Sequence, residues 1–263
     1  MPKAMLVDIT ECVGCGVCSE ACKKEQKLPG DVGKKRDYAN YTVLRQEGDD
    51  VYVRELCMHC TDPTCASVCP VSALHKTPEG PVVYDFDLCI GCRYCMMACP
   101  FGVPKYEWQK PIPKIRKCIM CYDTRIKKGL PTACSQACQE EGGGATYFGE
   151  RDELLAEAHK RIKENPDTYD NHIYGEHEVG GTNVLFLAPK DKPFKALQFN
   201  TKLPEEALPE LTWQVLNKIP VIVPVWATFL TGMWWLNNRK EEVEENEGSK
   251  KIRDEKLEGG DNE

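Results

Sequence analysis

In the first 210 residues, short apolar runs alternate with polar turns, and no apolar run is long enough for a long strand. Alternation of this kind predicts small strands and hairpins rather than long helices. The predicted elements are a strand at 5–10 (MLVDIT), a hairpin of 41–47 and 51–56 across Gly48-Asp49-Asp50, a short helical turn at 71–74, a turn at 78–80 leading into a strand at 82–84, a strand at 145–148, and a Gly180-Gly181 turn leading into an apolar strand that ends at Leu187.

Two stretches have a helical pattern instead. Residues 152–164 (DELLAEAHKRIKE) begin with acids and end with bases, which suits the helix dipole, and predict an amphipathic helix. Residues 219–236 (IPVIVPVWATFLTGMWWL) carry no charge, and at 1.5 Å per residue they span about 27 Å, close to the thickness of the bilayer core. We therefore expect one transmembrane helix at 209–238, with a buried core helix as the alternative.

The charges that flank this helix predict its orientation. Arg239 and Lys240 follow it, whereas Lys218 alone precedes it, so the C-terminus is expected on the cytoplasmic side of the cell membrane and the rest of the chain on the extracytoplasmic side. A cytoplasmic-facing head is the alternative. The N-terminus shows no apolar signal region and no arginine pair, which predicts either a cytoplasmic chain or export with a partner that carries the signal. Residues 241–263 are predicted to be disordered.

The overall charge argues against nucleic acid as a partner. The formal net charge is −7, and no basic patch is interleaved with aromatic residues. The cysteines are more informative. There are sixteen of them, in four groups of four with short internal gaps. Such gaps suit metal chelation better than the eight disulfides of a secreted framework, which is the alternative.

Motif three, DLCIGCRYCMMACP, has the spacing C-x2-C-x2-C-x3-C-P of bacterial [4Fe–4S] ferredoxins. Motif one has the same spacing, with Lys23 in place of the proline. The middle gap is four residues in motif two and twelve in motif four. At motif four, a zinc ion is the alternative to an iron–sulfur cluster. The cysteines of the motifs, in order, are Cys12, Cys15, Cys18 and Cys22; Cys57, Cys60, Cys65 and Cys69; Cys89, Cys92, Cys95 and Cys99; and Cys118, Cys121, Cys134 and Cys138.

In two-cluster ferredoxins the fourth cysteine of each motif binds the other cluster. Motifs two and three are adjacent and both end in Cys-Pro, so we expect them to pair, which leaves motif one to pair with motif four. The predicted ligand sets are cluster A, Cys57, Cys60, Cys65 and Cys99; cluster B, Cys89, Cys92, Cys95 and Cys69; cluster C, Cys12, Cys15, Cys18 and Cys138; and cluster D, Cys118, Cys121, Cys134 and Cys22.

This pairing predicts an α+β fold in which one ferredoxin-like domain is inserted into another. The outer domain comprises residues 1–22 and 101–200, and the inner domain residues 23–100. His59 lies within motif two, and we expect it to pack or donate a hydrogen bond near a cluster rather than to bind iron. The bases beside the motifs either raise cluster potentials or form a solvated face; they are Arg93, Lys105, Arg116 and Lys117.

The stretches CMHCTDPTCASVCPVSAL, CIGCRYCMMACPFGVPKY and RKCIMCYDTR resemble the iron–sulfur electron-transfer subunits of molybdenum or tungsten oxidoreductases and of some nickel–iron hydrogenases. The body of the chain is similar to the hydrogenase-2 subunit. The N-terminus, single C-terminal span and acidic tail look more like the β subunit of membrane-bound formate dehydrogenase.

The resemblance implies a subunit without a substrate site of its own. Electrons would pass from a catalytic molybdopterin subunit, most simply that of a formate dehydrogenase, or from a nickel–iron subunit, through four [4Fe–4S] clusters to a membrane haem b or quinone subunit. Two alternatives are a soluble enzyme and a zinc scaffold. Against the former, the chain shows no Ser-His-Asp set, phosphate loop or paired carboxylates.

Overall fold

The computed structural model describes residues 2–48 and 50–258, so Asp49 of the predicted turn and residues 259–263 of the tail lie outside it. The chain divides into two units, residues 1–211 and residues 212–263. The elements are β1 Lys3–Asp8, α1 Val17–Gln26, β2 Val43–Gln46, β3 Tyr52–Glu55, α2 Thr64–Ser67, β4 Leu74–Lys76, β5 Val82–Tyr84, α3 Tyr94–Ala98, β6 Lys105–Tyr106, β7 Ile115–Arg116, a 3-10 turn Ile126–Lys128, α4 Ala133–Glu140, β8 Thr146–Glu150, α5 Arg151–Glu164, a 3-10 turn Glu178–Gly180, β9 Val184–Leu187, α6 Leu208–Leu216 and α7 Ile219–Glu258.

The first unit is built around β1, the central strand of a three-stranded sheet. β1 pairs antiparallel with β8 and parallel with β9. Its side chains alternate between two buried faces, because Ala4 and Leu6 join one apolar cluster whereas Met5 and Val7 join the other. A strand covered on both faces has a continuous apolar sequence, which is what residues 4–7 show.

Helix α5 covers one face of this sheet through Leu154 and Ala158. The buried carboxylate of Asp8, at the end of β1, fastens the helix: Arg161 donates to it over 3.0 Å, and the hydroxyl of Tyr169 donates over 2.9 Å. Burial of a paired carboxylate fixes geometry more than it adds stability. The opposite face of the sheet packs against the half of the unit that carries the cysteines.

That half consists of three two-stranded hairpins and four short helices. The hairpins pair β2 with β3, β4 with β5, and β6 with β7. Helix α1 packs against α4, and α2 packs against α3. The four helices carry cysteines of motifs one, four, two and three respectively. Motif one therefore meets motif four, and motif two meets motif three.

Most of the predicted elements are confirmed, and two are wrong. Residues 71–74 form no helical turn, because Ser72 lies at φ 52° and Leu74 is paired with Tyr84 in the β4–β5 hairpin. The tail is not disordered as far as Glu258, because α7 continues to that residue. Its Glu, Lys and Arg residues are good helix formers, and extending an existing helix requires no new nucleus.

The second unit consists of the end of α6 and all of α7. It contains a stretch that is long and apolar enough to cross a membrane. None of its most apolar window is buried, which argues against the alternative of a core helix.

Candidate iron–sulfur centres

The four C-x-x-C loops share one backbone feature. The residue two positions after the first cysteine has a positive φ in every motif, with values of 72° at Gly14, 49° at His59, 70° at Gly91 and 56° at Met120. This left-handed turn aims its amide back at the cysteine. The N–H of Gly91 donates to Cys89 Sγ over 3.4 Å, and that of Met120 to Cys118 Sγ over 3.3 Å. Amide donors of this kind stabilise a thiolate.

Motifs two and three together line two cavities. The first has Cys57, Cys60, Cys65 and Cys99 in its wall. The second has Cys69, Cys89, Cys92 and Cys95. These are the sets predicted for clusters A and B, and each contains three cysteines of one motif and the last cysteine of the other.

Burial makes these thiols weakly acidic. It raises the pKa of Cys65 to about 12, with Cys57 and Cys99 adding to the shift and Lys117 opposing it. It also raises the pKa of Cys95 to about 12, and Cys69 and Cys89 add to that shift. Thiols of this kind give up their protons when they bind a cation. The chemistry of the donor set therefore fits a positively charged iron–sulfur core.

Motifs one and four line a third cavity, with Cys22, Cys118, Cys121 and Cys134 in its wall. This is the set predicted for cluster D. The side-chain amide of Gln26 donates to Cys121 Sγ over 3.5 Å, and the Thr132 hydroxyl lies 3.4 Å from Cys134 Sγ. Thr132 also caps α4 by accepting from the amide of Ser135, which fixes the start of the helix that carries Cys134.

The set predicted for cluster C is only partly brought together. Burial raises the pKa of both Cys12 and Cys18, and in each case the nearby Cys138 contributes to the shift. Cys15 is exposed on the loop before α1. This group therefore lies nearer the protein surface than the other three.

All sixteen cysteines are free thiols, rather than the eight disulfides of the alternative interpretation. Within the described residues, no three Cys, His or carboxylate side chains converge closely enough for a single metal ion. The sulfurs surround cavities, and zinc needs four ligands within about 2.3 Å of one point. Four sulfurs around one cavity, as in sets A, B and D, are the arrangement that an iron–sulfur cube requires.

In the part of the chain that the structure describes, four buried polar atoms near the cysteines lack a hydrogen-bond partner: Ser19 Oγ, Arg54 Nη2, His59 Nε2 and Tyr84 Oη. An unpaired buried donor is costly, by about 1–3 kcal/mol. The hydroxyls of Ser19 and Tyr84 lie beside the sulfurs of Cys18 and Cys89. The sulfides of a cluster are acceptors that would satisfy such donors, so the residues present fit the group.

His59 is fully buried, and its Nδ1 accepts from the amide of Val82 over 2.9 Å. Nε2 must then carry the proton. The imidazole is neutral because burial, with Lys117 and Lys76 nearby, moves its pKa well below the usual value. The histidine is thus packed in the interior with Nε2 available as a donor, and its hydrogen bond to a cluster stays a prediction.

Three of the four bases beside the motifs have specific partners. Arg93 stacks on Tyr106 and Trp108, Arg116 pairs with Glu107 over 2.8 Å, and the buried Lys117 donates to the carbonyl of Cys118 over 2.8 Å. Lys117 also lines the cavity of cluster A. A simple solvated face does not describe these side chains.

Comparison with known proteins identifies the family. A family profile described as a 4Fe-4S dicluster domain matches residues 49–151. The hydrogenase-2 operon protein HybA of Escherichia coli O157:H7 is 39% identical over 228 residues, covering 70% of this chain and 69% of the relative. The B subunit of the anaerobic dimethyl sulfoxide reductase of Escherichia coli K12 is 40% identical over 156 residues, covering 56% and 73%. The formate dehydrogenase iron–sulfur subunit of Haemophilus influenzae is 30% identical over 251 residues, covering 88% and 77%.

This chain belongs to the family of iron–sulfur subunits of respiratory oxidoreductases. The iron–sulfur subunit transfers electrons and contains a ferredoxin-like [4Fe–4S] domain. The resemblance that the cysteine motifs indicated is confirmed.

Sequence reasoning missed two side chains of this iron–sulfur subunit, Arg54 and Tyr84. Arg54 lies on β3 and Tyr84 on β5, outside the cysteine motifs. A charged residue in an otherwise apolar part of a predicted strand was the signal available for Arg54, since alternation alone places it on either face.

Proposed function

We propose that the chain relays electrons through four [4Fe–4S] clusters, with the ligand sets A to D predicted from the motifs. The observation that carries this proposal is the set of three enclosed cavities, each lined by four cysteines drawn from two motifs. When bound, each cluster accepts and gives up one electron. The protein supplies the thiolates, the amide donors and the exclusion of water.

Electrostatic contacts between the sets support a linear order, B–A–D–C. Cys95 of set B raises the pKa of Cys65 in set A. Among the charged groups, Cys57 of set A has the largest effect on the pKa of Cys118 in set D, which it raises. Cys134 of set D raises the pKa of Cys18 in set C. Each inner set thus has a neighbour on either side, and sets B and C form the two ends.

The motif that supplies most cysteines of set B also carries exposed apolar side chains that suit the docking of a partner. Leu88, Ile90, Tyr94 and Met97, here called the motif-three patch, are all at least half exposed, and Met97 is 87% exposed. Exposed apolar groups at this density mark interaction sites.

Iron and sulfide analysis tests the relay. Protein purified without oxygen should contain about sixteen irons and sixteen acid-labile sulfides per chain if all four motifs bind cubes. A count near eight irons would contradict two of the four clusters. A colourless protein that contains zinc would contradict all four.

A formate dehydrogenase is the assembly that we propose first. The alignment with the formate dehydrogenase relative covers 88% of 263 residues, about 231, which is more than the 211 residues of the first unit. It must therefore include part of the C-terminal helix. A hydrogenase is the second candidate, because HybA has the higher identity, 39% against 30%.

Mass spectrometry of the complex isolated from native membranes separates these two candidates. A catalytic molybdopterin subunit with formate activity would support the first, and a nickel–iron subunit the second. In either case we propose that a membrane haem b or quinone subunit receives the electrons. Recovery of the chain without any catalytic subunit would contradict both.

We propose further that α7 crosses the cell membrane once, with the head outside the cytoplasm. Truncation after Leu211 should release the protein from membranes with its iron content intact. A protease added to intact spheroplasts should cleave the head of the full chain. Protection of the head there, with cleavage in inverted vesicles, would place it in the cytoplasm.

A further inference from the structure

Arg54 is a buried cation without a carboxylate partner in the described part of the chain. It is 2% exposed and sits on β3. Nε donates to the Thr42 hydroxyl over 3.0 Å, and Nη1 donates to the Thr146 hydroxyl over 3.2 Å. Nη2 has no partner. Neither threonine carries a charge, so the side chain is anchored but its positive charge is not offset by these bonds.

The ionisable groups that act most strongly on Arg54 are cysteines. Cys134, Cys18 and Cys22, when deprotonated, favour the charged form of its guanidinium. Arg54 also lines the cavity of set D.

These groups come from two of the proposed clusters. Cys134 and Cys22 belong to set D, whereas Cys18 belongs to set C. The charge of Arg54 also reaches Cys12 of set C. Among the residues that the structure describes, no other arginine is buried.

A buried, unpaired guanidinium costs several kcal/mol unless an anion compensates it. An iron–sulfur cube with four thiolates is such an anion, and it gains one more negative charge on reduction. A fixed cation in a dry site therefore favours the reduced form, because net charge and hydrogen bonds to sulfur set the potential. The effect is strongest on set D, because Arg54 lines its cavity.

We propose that Arg54 is a positioning residue that raises the reduction potentials of clusters C and D together, and that of D more. The proposal rests on the relay proposed above. The charge of this one side chain makes the reduced forms of clusters C and D more stable than the cysteines alone would make them.

The test is an EPR-monitored redox titration of the full chain, purified without oxygen, comparing wild type with Arg54→Gln. We expect the reduction equilibrium of one cluster to fall at least tenfold, which is about 59 mV for a one-electron couple. A second cluster should shift less in the same direction, and the remaining two should not move. Arg54→Lys keeps the positive charge but lacks the planar guanidinium. Its potentials should lie close to those of the wild type.

Arg45→Gln is the matched control. Arg45 is also an arginine of the β2–β3 hairpin, but its charge is paired with Glu47 and Glu55. Its loss should leave all four potentials unchanged. Where Arg54→Gln holds fewer irons than wild type, Arg54→Met, which fills the space with an apolar chain, replaces it.

Two outcomes would overturn the proposal. One is a full set of clusters in either neutral variant with no potential shifted. The other is an equal shift of all four, which indicates a general structural change. Iron content near sixteen in the wild type tests the relay separately, so Arg54 can fail while the proposed function stands.

Discussion

The left-handed turn at Gly91 allows a sharp test of how the motif loops are built. An L-residue at φ +70° costs about 1–2 kcal/mol. A Cβ on Gly91 would also lie 3.0 Å from the carbonyl oxygen of Pro113 and 3.2 Å from the hydroxyl of Tyr106. Gly91→Ala therefore adds crowding, which typically costs about 1–3 kcal/mol. The variant should push the loop of Cys89 away from the β6–β7 hairpin.

Gly129→Ala is the matched control. Gly129 has φ +73°, and no atom lies within 4 Å of the position of its Cβ. It incurs the backbone cost alone, so the difference between the two variants isolates the crowding. For a unit of this size, about 1–3 kcal/mol corresponds to a melting temperature lower by about 2–12 °C.

Circular dichroism melts of both variants, recorded without oxygen, measure this difference, and iron analysis shows whether Gly91→Ala also loses cluster B. Equal melting temperatures for the two alanine variants would refute the reasoning, because they would show that the loop does not rest against the hairpin as described.

Three further predictions concern other parts of the chain. Cys99→Ser should alter the EPR signal of the cluster bound by the first three cysteines of motif two and leave that of motif three intact; the reverse pattern would refute the exchange of ligands between motifs. Met97→Glu, on the motif-three patch, should weaken recovery of the catalytic subunit at unchanged iron content, and full recovery would remove the patch as a docking site. Glu178 raises the pKa of His172 through a hydrogen bond of 2.7 Å, so this pair should stabilise the head below pH about 6.5 and lose that contribution as the pH rises through the raised value. Melts of wild type and His172→Gln between pH 6 and 9 should therefore converge at high pH, and parallel curves would contradict the assignment.

The cysteine motifs, together with the ferredoxin rule that the fourth cysteine of each motif joins the other cluster, predicted which sulfurs line a common cavity for sets A, B and D. Binding of iron by those sulfurs stays a prediction. The strands were predictable where apolar residues run together, as in β1 and β9.

Features that depend on tertiary contacts were not predictable. Residues 71–74 follow a Cys-Pro pair as a helix often does, yet the pairing of Leu74 with Tyr84 decides their conformation. The charge of Arg54 in an apolar part of β3 marks it in the sequence, but alternation does not decide which face it occupies, and only packing brings it to the cysteines. The tail composition is compatible with both disorder and helix, and the preceding apolar helix tips it towards helix.

The position of β1 at the centre of its sheet has a consequence for biosynthesis. The strand is synthesised before the two neighbours that flank it, β8 and β9, which end at Glu150 and Leu187. At about 5–20 residues per second, β1 waits roughly ten to forty seconds for β9. The proposed ligands of cluster C are separated in the same way, because Cys12 precedes Cys138 by 126 residues. The central sheet and the site proposed for cluster C therefore both stay incomplete while most of the head is being synthesised.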